Sequence, residues 1–324
     1  MLRALLPFLT ALLFLNTSVL SADQSIRVGL LKFGTVAWEI ETIARHRLDR
    51  ARAITVTAVE FATNEAAKVA LQADAVDVIV TDWPWVARQR AEGADFSFVP
   101  YSKAVGSLVV PRGSTIDGLA ALRGKRIGVV GGPLDKSWIL LRALSRRELG
   151  QDLAEIAEPV FGAPPLLNEE LARGRIDAVL TYWHYAARLE AAGARPLLSV
   201  AEIIRRLGIE AEVPMLGYAF RGEWAARNGE AIQAFVAASQ AAKERLAGSQ
   251  QEWTALAPLV GSNDEGVLSA LRAGYAAGVP KRWGEAERQA AADLYAILAQ
   301  LGGERLVGRA RSLDPATFSP LISY

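Results

Sequence analysis

Residues 75–94 read AVDVIVTDWPWVARQRAEGA and residues 175–194 read RIDAVLTYWHYAARLEAAGA. The two stretches align without a gap and agree at Asp77/Asp177, Thr81/Thr181, Trp83/Trp183, Ala87/Ala187, Arg88/Arg188, Ala91/Ala191, Gly93/Gly193 and Ala94/Ala194. Each begins with an apolar run (76–80; 176–180), passes a Thr-x-Trp-x-aromatic turn and enters an Ala/Arg-rich amphipathic stretch. That is the pattern of a buried parallel strand handing over to a covering helix. The aromatics fall at the carboxyl end of a strand, the edge at which open α/β sheets bind ligands. Two such units can present these edges to each other, so the duplication predicts two related lobes around a cleft.

A weaker echo extends the repeat: Arg27-Val28-Gly29-Leu30-Leu31 and Arg126-Ile127-Gly128-Val129-Val130 each open a lobe as a strand with a following glycine-containing turn. The spacing exceeds the roughly 20–50 residues of solenoid repeats. A chain of 324 residues suits two domains of roughly 100–200 residues each. The expected fold class is α/β with two lobes, each a mixed, mostly parallel sheet flanked by helices.

The first residues point to export. Met1-Leu2-Arg3 is a positive n-region, residues 4–15 form an apolar stretch broken by Pro7 and Thr10, and Val19-Leu20-Ser21-Ala22 offers a small-residue cleavage site. Residues 1–21 are expected to be a cleaved signal peptide, with the mature protein starting at Ala22 or Asp23 in the periplasm. An anchoring helix would need roughly 20 apolar residues, more than this run supplies. There is no cysteine, so neither lipid attachment nor disulfides are available and the fold must rest on its core. Lys+Arg 36 against Asp+Glu 35, with no basic run, argues against a nucleic-acid partner. Two histidines far apart in sequence, His46 and His184, supply a zinc site poorly, and no Walker or serine-elbow motif is present. Neither metal nor cofactor is expected.

Read outward from the repeat, residues 22–110 form the first part of lobe 1, residues 111–212 form lobe 2, and residues 213–324 return to lobe 1 and end in helices. The apolar extended runs at 106–113 and 213–220 are read as the two crossovers. Thr35 is read as the N-cap of a helix over 36–48.

At this point the chain resembles the periplasmic substrate-binding proteins of nitrate/sulfonate/taurine-type ABC importers, members of the type II periplasmic binding protein superfamily. The residues that carry the resemblance are Gly29-Leu30-Leu31-Lys32-Phe33-Gly34-Thr35, the strand Ala75-Val76-Asp77-Val78, the crossover Val110-Pro111-Arg112-Gly113-Ser114, and the run from Ile116 to Val129 with Leu119, Leu122, Gly124, Lys125 and Ile127. It covers residues 26–250. The resemblance implies a two-lobed fold, capture of a small molecule between the lobes, and delivery to a permease in the inner membrane. The chain departs from sulfonate-binding relatives at Gly131-Gly132-Pro133-Leu134-Asp135-Lys136, where they carry a Gly-Ser turn, and at Asp82, Trp83 and Trp85, where they carry small residues. It also lacks the Asp-Trp-x-Pro-Asn turn of the thiamine-pyrimidine branch.

Candidate ligand-binding residues follow from the cleft-edge argument. Trp83, Trp85, Trp183 and Tyr185, with Tyr182, offer flat apolar walls, with Trp83 and Trp183 approaching one ligand from opposite lobes. Trp38 and Trp138, inside helices, are read as core. Asp82 and Asp135 sit at helix starts, where an aspartate is more often a cap than a ligand contact. Lys136 is a cationic candidate, as is Lys32. His184 is read as a hydrogen-bonding pocket or surface group and not a metal ligand, and His46 as a surface residue. Thr35, Thr63, Asn64, Thr81 and Thr181 offer hydroxyl or amide groups beside helix N-termini, which attract anions, and Phe33, in the turn Lys32-Phe33-Gly34-Thr35, is a further ligand-binding candidate.

Three functions compete. The first is a binding component of an ABC transporter, acting as a monomer on a sulfonate-, carboxylate- or heterocycle-bearing ligand. The second is a periplasmic accessory or sensor protein. The third is an enzyme on the same fold, against which stands the absence of a paired nucleophile and base.

Overall fold

Short apolar runs bounded by glycine, proline or acidic residues form the strands, and the Ala/Arg/Glu-rich stretches between them form the helices. In a computed structural model, residues 24–32 and 34–322 are described. The expected signal peptide and Phe33 lie outside the described residues. The first lobe is built from β1 (Gln24–Leu31), α1 (Val36–Arg45), β2 (Ile54–Phe61), α2 (Asn64–Gln72), β3 (Val78–Asp82), α3 (Trp83–Ala91) and β4 (Phe96–Ser102). The second follows with β5 (Gly106–Val110), β6 (Arg126–Val130), α4 (Lys136–Leu149), α5 (Leu153–Ile156), β7 (Glu158–Gly162), α6 (Pro164–Ala172), β8 (Ala178–Tyr182), α7 (Trp183–Ala191), β9 (Arg195–Ser199) and α8 (Val200–Arg206). The chain returns through β10 (Leu216–Arg221) and ends in α9 (Gly222–Arg227), α10 (Gly229–Gly248), α11 (Gln250–Val260), α12 (Glu265–Gly278), α13 (Glu285–Gly302) and α14 (Glu304–Val307).

The two sheets have the same plan. Their strand orders are β2-β1-β3-β10-β4 and β7-β6-β8-β5-β9. In each, three parallel strands are joined by an antiparallel one, β10 beside β3 and β4, and β5 beside β8 and β9. The runs read as crossovers are these antiparallel strands. β5 belongs to the second sheet, so the chain changes lobes between Ser102 and Gly106, ahead of position 110. Each antiparallel strand arrives from the other lobe, and its direction follows from that entry.

The duplication extends to the backbone ties at Asp77 and Asp177 and to the glycines that follow α3 and α7. The Asp77 carboxylate accepts the Arg27 N–H at 2.7 Å and the Asp177 carboxylate accepts the Arg126 N–H at 2.7 Å, so each aspartate ties the loop before one strand to the start of its neighbour. Gly93 and Gly193, with φ of 92 and 94, follow α3 and α7 in the left-handed conformation that favours glycine. The Thr-x-Trp segment is not a turn: β3 runs through Asp82 and α3 starts at Trp83, and β8 runs through Tyr182 into α7. Pro84 sits in the first helical turn, where its missing N–H costs little.

The C-terminal helices join the lobes. A Cβ at Gly274 would come within 3.0 Å of Trp183, and one at Gly278 within 2.5 Å of Ala104, so these two glycines let α12 lie against α7 and the first crossover. α13 packs on α4 of the second lobe, and its Tyr295 meets Trp83 of the first with ring centroids 6.1 Å apart. One buried cluster accordingly runs through Phe98 of the first sheet, Leu180 of the second and Leu294 of α13. No helix among the described residues is long and apolar enough to cross a membrane.

Candidate functional site

A cavity of ≈ 290 Å³ opens between the lobes. Lys32, Gly34 and Trp38 line it from the β1–α1 segment, His184, Tyr185 and Arg188 from α7, and the carboxyl end of α11 closes the third side. Both helices that start at its rim lack side-chain caps: Thr35 occupies the N-cap position of α1 and Tyr182 that of α7, and neither side chain accepts a hydrogen bond from its helix. The expected Thr35 cap is therefore not formed; its backbone is already helical, which turns the hydroxyl from the following N–H groups. By contrast α2, α3 and α4 are capped by Thr63, Asp82 and Asp135. The N–H groups of Ala37, Trp38 and Trp183 are taken by the Gly34, Thr35 and Val105 carbonyls; the remaining first-turn N–H groups and the aligned dipole favour an anion at the α1 and α7 end of the cleft.

Arg188 reinforces it. Its Nη2 donates to the Val260 carbonyl at 2.7 Å, a tie from lobe 2 to α11, and among the described residues it has no carboxylate partner. Burial lowers its pKa from the ordinary value, offset in part by Tyr185, and a guanidinium stays protonated throughout the physiological range. Its repeat counterpart Arg88 instead donates to Glu92 and to the Arg305 carbonyl, far from the cleft.

His184 sits beside Arg188 with its Nδ1 buried and without a hydrogen-bond partner, although the residue as a whole is only half-buried. Its ring stacks on Tyr182 at 6.4 Å and 24°. Burial, and then the Arg188 charge, push its pKa down to about 3. A histidine held neutral in the folded state contributes stability fully above the unfolded pKa of about 6.5, and that stability is lost as pH falls from there toward about 3. In a His46→Gln protein, imidazole NMR signals of His184 are expected not to titrate between about pH 5 and 8; a midpoint inside that window contradicts the burial argument.

Behind the α1 terminus lies a polar recess lined by Thr35, Tyr101, Lys243 and Tyr275, with Trp183 across from them. Glu39, fully buried, accepts bonds there from Lys243 at 2.5 Å, Tyr275 at 2.7 Å and Tyr218. Lys243 also donates to Ser239 at 2.9 Å and lies 3.8 Å from the Tyr101 ring centroid. Desolvation, then Glu39, raises the pKa values of Tyr101, Tyr218 and Tyr275, which keeps them protonated.

The other end of the cleft is self-neutralised. Lys136 of lobe 2 donates to Asp82 of lobe 1 at 2.8 Å, while the second Asp82 oxygen accepts the Trp85 N–H at 3.0 Å. Asp135 accepts the N–H groups of Ser137 and Trp138 and so acts as a cap. The structure thus brings Thr35, Tyr182, Trp183 and His184 to the α1–α7 side and Asp82, Asp135 and Lys136 to the α3–α4 side. Trp85 packs on Phe96 at 5.4 Å, and Asn64 is exposed in the first turn of α2; neither lines a cavity described above. Trp83 is a correction: it is fully buried between Tyr295 and Phe318, because α13 and the C-terminal segment cover the face its repeat partner shows to the cleft. The two tryptophans do not oppose each other. Trp138 is core, as expected, whereas Trp38 is buried and also lines the cavity. Arg188, Tyr101 and Lys243 went unread. The Arg88/Arg188 identity was the available signal for the first; a lysine midway along a helix gives none.

No curated protein matches the chain in sequence. Solved structures share its fold. The periplasmic aliphatic sulphonate binding protein SsuA from Escherichia coli superimposes with a TM-score of 0.69 at 22% identity over 91% of this chain and 99% of that one. The alkanesulfonate-binding protein SsuA from Xanthomonas axonopodis pv. citri, bound to MOPS, gives 0.68 at 20% identity over 91% and 98%. A putative sulfonate ABC transporter protein, the periplasmic sulfonate-binding protein SsuA from Methylobacillus flagellatus, gives 0.65 at 17% over 92% and 92%. The family model described as NMT1/THI5 like matches residues 50–252, and with its two-lobed fold the chain belongs to that family.

Proposed function

We propose that the protein is exported to the periplasm, captures a small organic anion between its lobes, and delivers it to an ABC permease in the inner membrane. The observation that carries this reading is the interlobe cavity in which Arg188 meets two uncapped helix termini. A sulfonate or carboxylate fits that end, and Trp38 and Tyr185 offer flat surfaces to an organic body. Family membership and the sulfonate-binding proteins of like fold support the same role. The protein acts by binding, and closure of the lobes about the two crossovers is the expected motion.

Native mass spectrometry of the purified protein identifies what it carries, and calorimetry with a series of alkanesulfonates and carboxylates, with a neutral pyrimidine as control, tests the class. Replacing Arg188 by Met keeps much of the stem and removes the charge. Affinity for the anion is expected to fall about 10–100-fold, the worth of a hydrogen bond to a charged group. Unchanged affinity in Arg188→Met, or binding of the neutral control alone, overturns the anion reading.

A further inference from the structure

The ion pair at the other end of the cleft is a feature that ligand capture does not by itself require. Lys136 and Asp82 come from different lobes, their side chains are 26% and 14% exposed, and they meet at 2.8 Å. Lys68, from α2, lies within electrostatic reach of both, with Glu65 and Asp135 as the further acidic groups. Tyr182 stands between this cluster and the cavity: its hydroxyl feels Asp135 and Asp82, while its ring stacks on His184. The pair keeps both members charged, since desolvation is overcome by Asp82 at Lys136 and by Lys136 at Asp82.

The repeat shows what is special here. Asp82 and Tyr182 occupy equivalent strand ends, yet only the first brings a carboxylate to the cleft. That carboxylate occupies the ammonium that would otherwise be offered to a ligand. We propose that the Asp82–Lys136 pair is a specificity element that limits the cleft to ligands with one anionic group, by supplying from the chain itself the second anion that Lys136 would bind. This rests on the anion reading of the α1–α7 end. A second carboxylate or sulfonate that reaches this pair finds Lys136 already occupied by Asp82 and is desolvated without a cation of its own; releasing Lys136 supplies that cation.

The test is calorimetry with propane-1-sulfonate, a monoanion, and 3-sulfopropanoate, a dianion of similar length. Wild type is expected to bind the monoanion and to bind the dianion at least about tenfold more weakly, because the second anion is desolvated without a free cation to pair with. Asp82→Asn and Asp82→Ser both retain a capping oxygen for α3 and are expected to tighten the dianion about tenfold by freeing a cation for a charge-assisted bond. The monoanion should change by no more than about twofold in these variants, because its charge lies at the other end. Lys136→Met should weaken the dianion further. If wild type binds the monoanion but neither Asp82 variant gains affinity for the dianion, or if wild type prefers the dianion, the pair is not a specificity element. If neither anion binds wild type, the anion reading itself fails and takes this inference with it.

Discussion

Replacing Trp83 by Ala is expected to destabilise the protein by about 3–5 kcal/mol, the range for deleting a fully buried large aromatic. Its ring is fully buried against Tyr295 of α13 and Phe318, so the substitution opens a cavity at the place where the C-terminal elements are pinned to the first lobe. With an unfolding entropy of about 2 cal/mol/K per residue, that corresponds to a Tm lower by roughly 5–8 °C. Ligand affinity of the folded variant should stay near normal. Trp183→Ala should behave in the opposite way. Trp183 is only partly buried, stands at 5.9 Å from Trp38 across the lobe boundary and lines the polar recess. Its loss should lower affinity by about 1–3 kcal/mol, as for a truncated aromatic anchor, with a smaller change in Tm. Thermal melts and calorimetry on the two variants decide the matter. A Trp83→Ala protein with unchanged Tm and lost binding would return both tryptophans to the cleft.

The second large effect is expected at Glu39. Its two oxygens take the bonds of Lys243, Tyr275 and Tyr218 in a fully buried position. Glu39→Gln leaves the Lys243 ammonium buried without its counter-charge, and breaking such a pair costs about 3–5 kcal/mol. Because the penalty lies in the stranded charge and not in the absent bond, adding Lys243→Met to Glu39→Gln should recover much of the loss. A chemical-denaturation double-mutant cycle measures this coupling. If the double variant is no more stable than Glu39→Gln alone, the network is not held by the pair. Since Glu39 links α1 to α10, β10 and α12 behind the cleft, the same variants should also loosen the α1 terminus that lines the cavity.

How far the sequence reaches can be judged from particular residues. The hundred-residue repeat fixed two lobes of one plan, because strand hydrophobicity, the Asp77/Asp177 ties and the Gly93/Gly193 helix ends are local requirements that leave identical residues at identical spacing. The capping roles of Asp82 and Asp135 were legible for the same reason: a side-chain oxygen that bonds the next helical turn acts within three residues. What the repeat could not tell is what each copy faces. Trp83 and Trp183 stand at the same place in the same local structure, and α13 with the segment around Phe318, more than two hundred residues downstream from the first, covers one and leaves the other at the lobe boundary. Arg88 and Arg188 part in the same manner, one tied to the Arg305 carbonyl and the other lining the cavity. The Asp82–Lys136 pair and the Glu39–Lys243 pair join residues 54 and 204 positions apart. Local propensity and periodicity act over one or two turns, and so they determined the elements and their duplication; which groups meet, which charges are neutralised and which remain for a ligand depended on how the lobes and the C-terminal helices close on one another, and that was decided only in the tertiary structure.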